Sequence, residues 1–236
     1  KKQAELEAEI DAAFTTATEE LEAFEAPQSE KETAKKGRVV FRTAKTSGPA
    51  MHIESVRRLI KRITDEVFAT VKADKGIQQG DLRKVQAMVE SKILPNVNLQ
   101  RMTSAAVGRP WRQATPEQKQ RLQEEFKNLL IYTYAGAAAQ IKDQTIEYRP
   151  MRNHPDDAEV IVRTLVRNKG DAIQLDYRLE KADGSWKIYD VNVLGAWLVQ
   201  TYQSSFAQEV SASGIDGLIA KLVERNKQLA ARKVAG

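Results

Sequence analysis

An α+β fold is expected from this sequence: several helices packed with a curved antiparallel sheet of about four strands. Three observations point there. Apolar residues recur at steps of three and four over most of the chain up to residue 141. Between residues 143 and 193 the period drops to two, and turn-forming residues separate the alternating runs. Beyond residue 195 the helical spacing returns. Helices, then strands, then helices, without strand–helix alternation, make the α+β pattern.

The elements follow in order. Residues 3–26 read as an amphipathic helix, with Leu6, Ile10, Phe14, Ala17, Leu21 and Phe24 on one stripe and Pro27 ending it. Residues 27–38 are a polar loop, Val39–Thr43 a short strand or nothing regular, and 44–50 a linker. The chain therefore divides into an N-terminal extension or fused segment of unknown role, residues 1–50, and one folding domain, residues 51–236. Met51 opens that domain. Ile53, Val56, Ile60, Ile63, Val67 and Val71 predict its first helix, with Arg57, Arg58, Lys61 and Arg62 as a solvated face. Asp81 is placed to cap a helix from Leu82 that Pro95 ends near Leu94. A short helix covers Leu99–Val107. Thr115-Pro116-Glu117-Gln118 has the form of a capping box with proline at the first helical position. The long helix behind it carries Leu122, Phe126, Leu129, Leu130, Tyr134 and Ala138 and runs to about Ile141.

Strands are expected over Asp143–Met151, Glu159–Arg167, Ala172–Lys181 and Ser185–Val193, with Asp183-Gly184 as a hairpin turn. Two helices close the chain, Gly195–Val210 and Asp216–Arg232. The small run Ala135–Ala139 leaves room beside the sheet.

Composition excludes several classes. The chain has no cysteine, which removes disulfides, thiolate chemistry and cysteine-based zinc sites. It opens on Lys-Lys without the apolar core of a signal peptide, as a mature or an engineered chain would. No run of about 20 apolar residues is present to span a bilayer. The total charge is +5; residues 1–26 set two lysines against eight acids, a net of −6, which leaves +11 on the rest. A basic body suits nucleic acid, anionic lipid or an acidic protein. Trp111, Trp186 and Trp197 do not sit among basic clusters, so nucleic acid is not expected.

Catalytic signals are sparse. His52 and His154 stand alone in linker-like or turn segments. Asp156-Asp157 follows Pro155 in a turn, where a solvated pair is the ordinary reading. No nucleophile elbow, phosphate loop or dinucleotide fingerprint occurs. Asp190, within a strand, keeps open one enzymatic alternative: an isomerase-like α+β pocket protein with an inward aspartate as base. No catalytic residue, metal ligand or cofactor is otherwise expected. A closed-core adaptor without ligand is a third reading.

Four segments in order resemble the MlaC family, also known as toluene-tolerance proteins. Val89-Glu90-Ser91-Lys92-Ile93-Leu94-Pro95-Asn96-Val97 resembles its Leu-Pro-x-Val element. Residues 114–134 resemble its Ala-Thr-Pro-x-Gln helix. Residues 184–202 resemble its Trp-x-x-Tyr-Asp strand and the Gly-x-x turn behind it. Ser213-Gly214-Ile215-Asp216-Gly217-Leu218-Ile219 resembles the start of its last helix. The resemblance covers about residues 55–230 and not residues 1–50. It implies a periplasmic, non-enzymatic carrier with a deep apolar pocket for phospholipid tails. Such carriers shuttle lipid between an inner-membrane ABC transporter complex and an outer-membrane lipoprotein–porin complex, maintaining outer-membrane asymmetry. Burial of two chains of about 15 methylenes is worth on the order of 24 kcal/mol gross. Such a pocket needs aliphatic walls more than directed polar groups. The bound phospholipid is cargo, and no cofactor is implied. Candidate lining residues, taken from the periodicities, are Val97, Met102, Val107, Phe126, Leu130, Tyr134, Val160, Val162, Leu175, Tyr177, Ile188, Trp197 and Leu198.

Overall fold

A computed structural model describes residues 49–151, 157–168, 171–193 and 195–234. The helix expected over 3–26, the segment Val39–Thr43, His154 and Asp156 lie outside the described residues.

Helix α1 (Pro49–Ala73) buries Val56, Ile60, Ile63, Val67 and Val71 and turns Arg57, Arg58, Lys61 and Arg62 to solvent. A short α2 (Lys75–Gln78) starts where Asp74 accepts from Gly76 N at 2.8 Å. Helix α3 (Leu82–Met88) is capped as expected, Asp81 accepting from Arg83 N at 3.0 Å. The predicted continuation to Leu94 changes character: a π-helical turn (Val89–Ile93) passes into a 3₁₀ turn (Leu94–Asn96). Proline lacks an N–H, and in an α-helix its ring meets the carbonyl four residues back. Widening the turns ahead of Pro95 accommodates it.

Helix α4 (Leu99–Val107) starts where Asn98 accepts from Arg101 N at 2.9 Å. After a 3₁₀ turn at Arg109–Arg112 comes α5 (Pro116–Ala139). Its capping box is complete: Gln118 N donates to Thr115 Oγ1 at 3.2 Å, and Thr115 N to Gln118 Oε1 at 3.0 Å.

The sheet is antiparallel, in the order β1 (Thr145–Tyr148), β2 (Glu159–Asn168), β3 (Asp171–Ala182), β4 (Ser185–Val193), β5 (Ala196–Trp197). Asp183 and Gly184 both take positive φ, 49° and 77°, the geometry of a two-residue hairpin turn. Arg178 pairs with Asp190 while Leu179 pairs with Ile188, so Tyr189 is an extra residue in a bulge.

A helix was expected from Gly195. Instead Gly195 turns at φ 96°, Ala196–Trp197 pairs back on Asn192–Val193 as a fifth strand, and α6 (Leu198–Val234) starts only then. Gly214, at φ 72° and ψ −175°, interrupts α6 where the sequence separates two helices.

Two buried clusters share α5 as a wall. The first joins α1, Ile77, Val85, Met88, Ile131 and Ala135 to Val160, Val162, Leu179 and Ile188 of the sheet. The second joins α4 and the first half of α5 to α6, centred on Phe126, whose ring meets Tyr202 and Phe206 edge-on at 5.2 and 5.4 Å. Val97 and Tyr132 touch both clusters.

Candidate ligand-binding site

Register assigns the sheet faces. Val160 lies opposite Leu179, Val162 opposite Tyr177, Thr164 opposite Leu175 and Val166 opposite Ile173. Cross-strand partners share a face, so these side chains form the inner face toward α1 and α5. Ile146 and Tyr148 extend it through β1, and Ile188, Val191 and Val193 through β4.

This inner face is not evenly filled. Near the β3–β4 turn, Val160, Leu179 and Ile188 are 6%, 0% and 3% exposed, a closed core. Toward the other end Ile173, Leu175, Tyr177, Val166 and Val193 are only half-buried. Leu175 belongs to neither core cluster. The C-terminal half of α5, with its small residues Gly136, Ala137, Ala138 and Ala139, is half-buried as well.

The tyrosines reveal what kind of space this is. Tyr134 and Tyr177 both keep accessible surface. Yet burial pushes the Tyr134 hydroxyl up to about 12. Burial also raises the Tyr177 hydroxyl far above its ordinary value, with Thr64 on α1 acting the other way. Both hydroxyls are thus withdrawn from water although the residues keep some accessible surface. The half-buried side chains of the inner face are aliphatic or tyrosine.

The candidate residues separate into groups. Val160, Val162, Leu175, Tyr177 and Ile188 come together on the inner face, and Tyr134 lies on α5 between Ile131 and Ala138 of the first cluster. Val97 sits at the junction of the two clusters and Leu130 at the edge of the second. Met102, Val107 and Phe126 are fully enclosed in the second cluster and leave no space beside them. Leu198 is buried at the start of α6, in neither cluster. Trp197 is not brought to the inner face. It pairs with Asn192 on the opposite side of the sheet, where the Arg178 guanidinium stacks 3.9 Å over its ring. Tyr148, Val166, Ile173 and Val191 were not among the candidates, although Val166 and Ile173 continue the same alternation as Val162 and Leu175.

Asp190 is also on that opposite side, and its carboxylate is committed. Val191 N and Val199 N donate to Oδ1 at 2.9 and 3.1 Å, and Arg178 Nη1 donates to Oδ2 at 3.0 Å. Burial pushes its carboxyl above the ordinary value, and these donors oppose the shift. The arrangement ties β4 to the first turn of α6; it does not aim a base into the inner space.

The Leu94–Asn98 element has an equally definite task. Val97 bridges Ile188 in parallel, Asn98 N donates to Ile188 O at 2.7 Å, and Lys187 Nζ donates to Pro95 O at 2.6 Å. These bonds clip the α3–α4 connection onto β4, next to the closed end of the inner face. Arg101 adds ion pairs to Glu159 and Glu180 and lies 3.7 Å over the Tyr189 ring.

A separate groove of about 520 Å³ lies at the ends of α1, α2 and α5, lined in part by Lys72, Lys75, Ile141, Lys142 and Asp143. Lys72 sits in the last turn of α1 and Lys142 just beyond the end of α5, where cations compensate the helix dipole. Among the described residues no helix is long and apolar enough to cross a membrane.

Comparison with known proteins identifies the family. An intermembrane phospholipid transport system binding protein, MlaC, of Haemophilus influenzae is 23% identical over 174 residues, covering 72% of this chain and 81% of that protein. The toluene tolerance protein ttg2D of Pseudomonas putida is 31% identical over 105 residues, 44% of this chain and 49% of its own length. A phospholipid-binding protein from Ralstonia solanacearum, solved in complex with a phospholipid, superposes with a TM-score of 0.71 at 47% identity, covering 73% of this chain and 97% of that one. The MlaC protein family model matches residues 61–224, and the chain belongs to the MlaC family.

Proposed function

We propose that this chain is a periplasmic phospholipid carrier that performs no chemistry, with residues 51–236 as the carrier unit. It holds the acyl tails in the half-filled space between the inner face of the sheet and α5. It passes lipid between an inner-membrane ABC transporter complex and an outer-membrane lipoprotein–porin complex, so maintaining outer-membrane asymmetry. Phospholipid is the cargo, and neither a cofactor nor nucleic acid takes part. The observation that carries this reading is the likeness, at 47% identity, to a protein solved with a phospholipid. The half-buried apolar inner face around Leu175 and Tyr177 supports it. The isomerase-like alternative loses its proposed base, because Asp190 faces away from that space and its oxygens are occupied.

Native mass spectrometry of protein purified from a bacterial periplasm, followed by organic extraction, tests the proposal. The expected result is a bound mass that extracts as phospholipid. Leu175→Trp, which fills the space without adding charge, is expected to lower occupancy at least about fivefold while the protein stays folded, since tail burial scales with the area the pocket can cover. An apo mass that takes up nothing from added liposomes overturns the carrier reading.

A further inference from the structure

The outer face of α1 carries four cations in six residues, and three of them are answered. Arg58 pairs with Glu54, Lys61 with Asp65 and Arg62 with Glu66, each four residues along the helix. Arg57 has no such partner, because position 53 is Ile and position 61 is Lys. Among the described residues no carboxylate comes within ion-pairing distance of it. Its guanidinium lies instead 5.7 Å over the ring of Tyr148, on the edge strand β1.

Tyr148 is itself placed between two environments. Its ring packs against the first core cluster. Its hydroxyl is raised mainly by burial, and Thr64, Asp65, Lys61 and Arg57 of α1 lie close enough to influence it. Thr64 also reaches Tyr177, deeper on the inner face across β2. Polarity therefore grades along one line. It runs from the Arg57 guanidinium at the surface, through the hydroxyls of Tyr148, Thr64 and Tyr177, to the apolar side chains of Leu175 and its neighbours. That gradient is the one an amphiphile carries: phosphodiester, ester carbonyls, then hydrocarbon. Hydroxyls can donate to ester oxygens, and an arginine can donate two parallel N–H bonds to a phosphate. Strand β1 is an edge strand of four residues, so its far side is unpaired by the sheet and the seam can part without breaking a ladder.

We propose that the seam between α1 and β1 is the entrance to the lipid space, with Arg57 holding the phosphodiester of the bound lipid and Tyr148, Thr64 and Tyr177 receiving its ester region. This assignment rests on the carrier reading above and adds the place and chemistry of headgroup contact.

The absence of cysteine allows a direct test. A nitroxide on Arg58→Cys, beside Arg57 but outside the seam, should broaden the ³¹P signal of the co-purified phospholipid. The same label on Glu224→Cys of α6 should leave the signal sharp. Independently, Arg57→Gln should release lipid to acceptor vesicles about fivefold faster than wild type, the loss of one charge-assisted contact. Arg58→Gln, at a cation already paired, should release at the wild-type rate. A ³¹P signal that ignores the label at position 58, or equal release by Arg57→Gln and wild type, overturns the seam while leaving a loaded carrier intact. A ³¹P signal that comes from added inorganic phosphate and not from extractable lipid overturns it too. Wild-type protein that carries no lipid at all fails the carrier reading itself.

Discussion

At the residue scale, Asp190 shows how a suggestive side chain acquires a role from its surroundings. Strand alternation alone leaves it open to an inward or an outward position. The bulge at Tyr189 and the register with Arg178 send it to the face opposite Leu175 and Tyr177, where two backbone N–H groups and a guanidinium claim its oxygens. Asp190→Asn keeps an oxygen for Val191 N and Val199 N but turns an amide toward Arg178. The expected cost is about 1–2 kcal/mol, measured as a lower urea midpoint, with phospholipid content unchanged. Lipid loss at an unchanged midpoint would contradict the placement of Asp190. Trp197 teaches the same lesson. Periodicity placed it on a helix from Gly195, yet a two-residue strand that no pattern announces sets it under Arg178. Leu175 and Tyr177, by contrast, were recognisable as inner-face residues, because strand alternation survives any tertiary arrangement that covers one face.

At the element scale, the helix starts were legible and some of the ends were not. Thr115 with Gln118, and Asp81, cap as their spacing requires, since a cap needs only residues within one turn. The π and 3₁₀ turns at Val89–Asn96 depend on Pro95 and on the clip to β4, which local spacing does not contain. Gly214 divides α6 at φ 72° and ψ −175°, a combination that side chains resist. An added Cβ there meets nothing within 4 Å, so any penalty is conformational. Gly214→Ala is therefore expected to cost about 1–3 kcal/mol, read as a lower unfolding midpoint. An unchanged midpoint would mean that the break in α6 is not required.

At the scale of the whole molecule, ion pairs join elements far apart in sequence, and their pH dependence has a definite sign. Glu159 is held below its ordinary value of 4.5 chiefly by Arg101, and Glu147 is lowered chiefly by Arg167. A carboxylate whose folded pKa is depressed binds fewer protons folded than unfolded, so its contribution is full above 4.5 and is lost as pH falls through the depressed value. Asp190, raised by burial, works in the opposite sense and gains on acidification. The urea midpoint of the wild-type protein is expected to fall as pH drops below about 4.5, and Arg101→Met is expected to flatten that decline. An identical pH profile in the variant would remove the Arg101–Glu159 pair from the account. The order of helices and strands, the caps and the two-residue periodicity were settled by sequence because each is a property of neighbours a few residues apart. Which apolar faces close and which stay half-filled was decided by tertiary structure. Phe126 and Leu130 stand one turn apart on α5, and periodicity treats them alike. Phe126 is sealed by Tyr202 and Phe206 of α6, whereas Leu130 keeps accessible surface at the cluster's edge. Cavities are differences of volume between elements distant in the chain, and no local pattern encodes a difference of that kind.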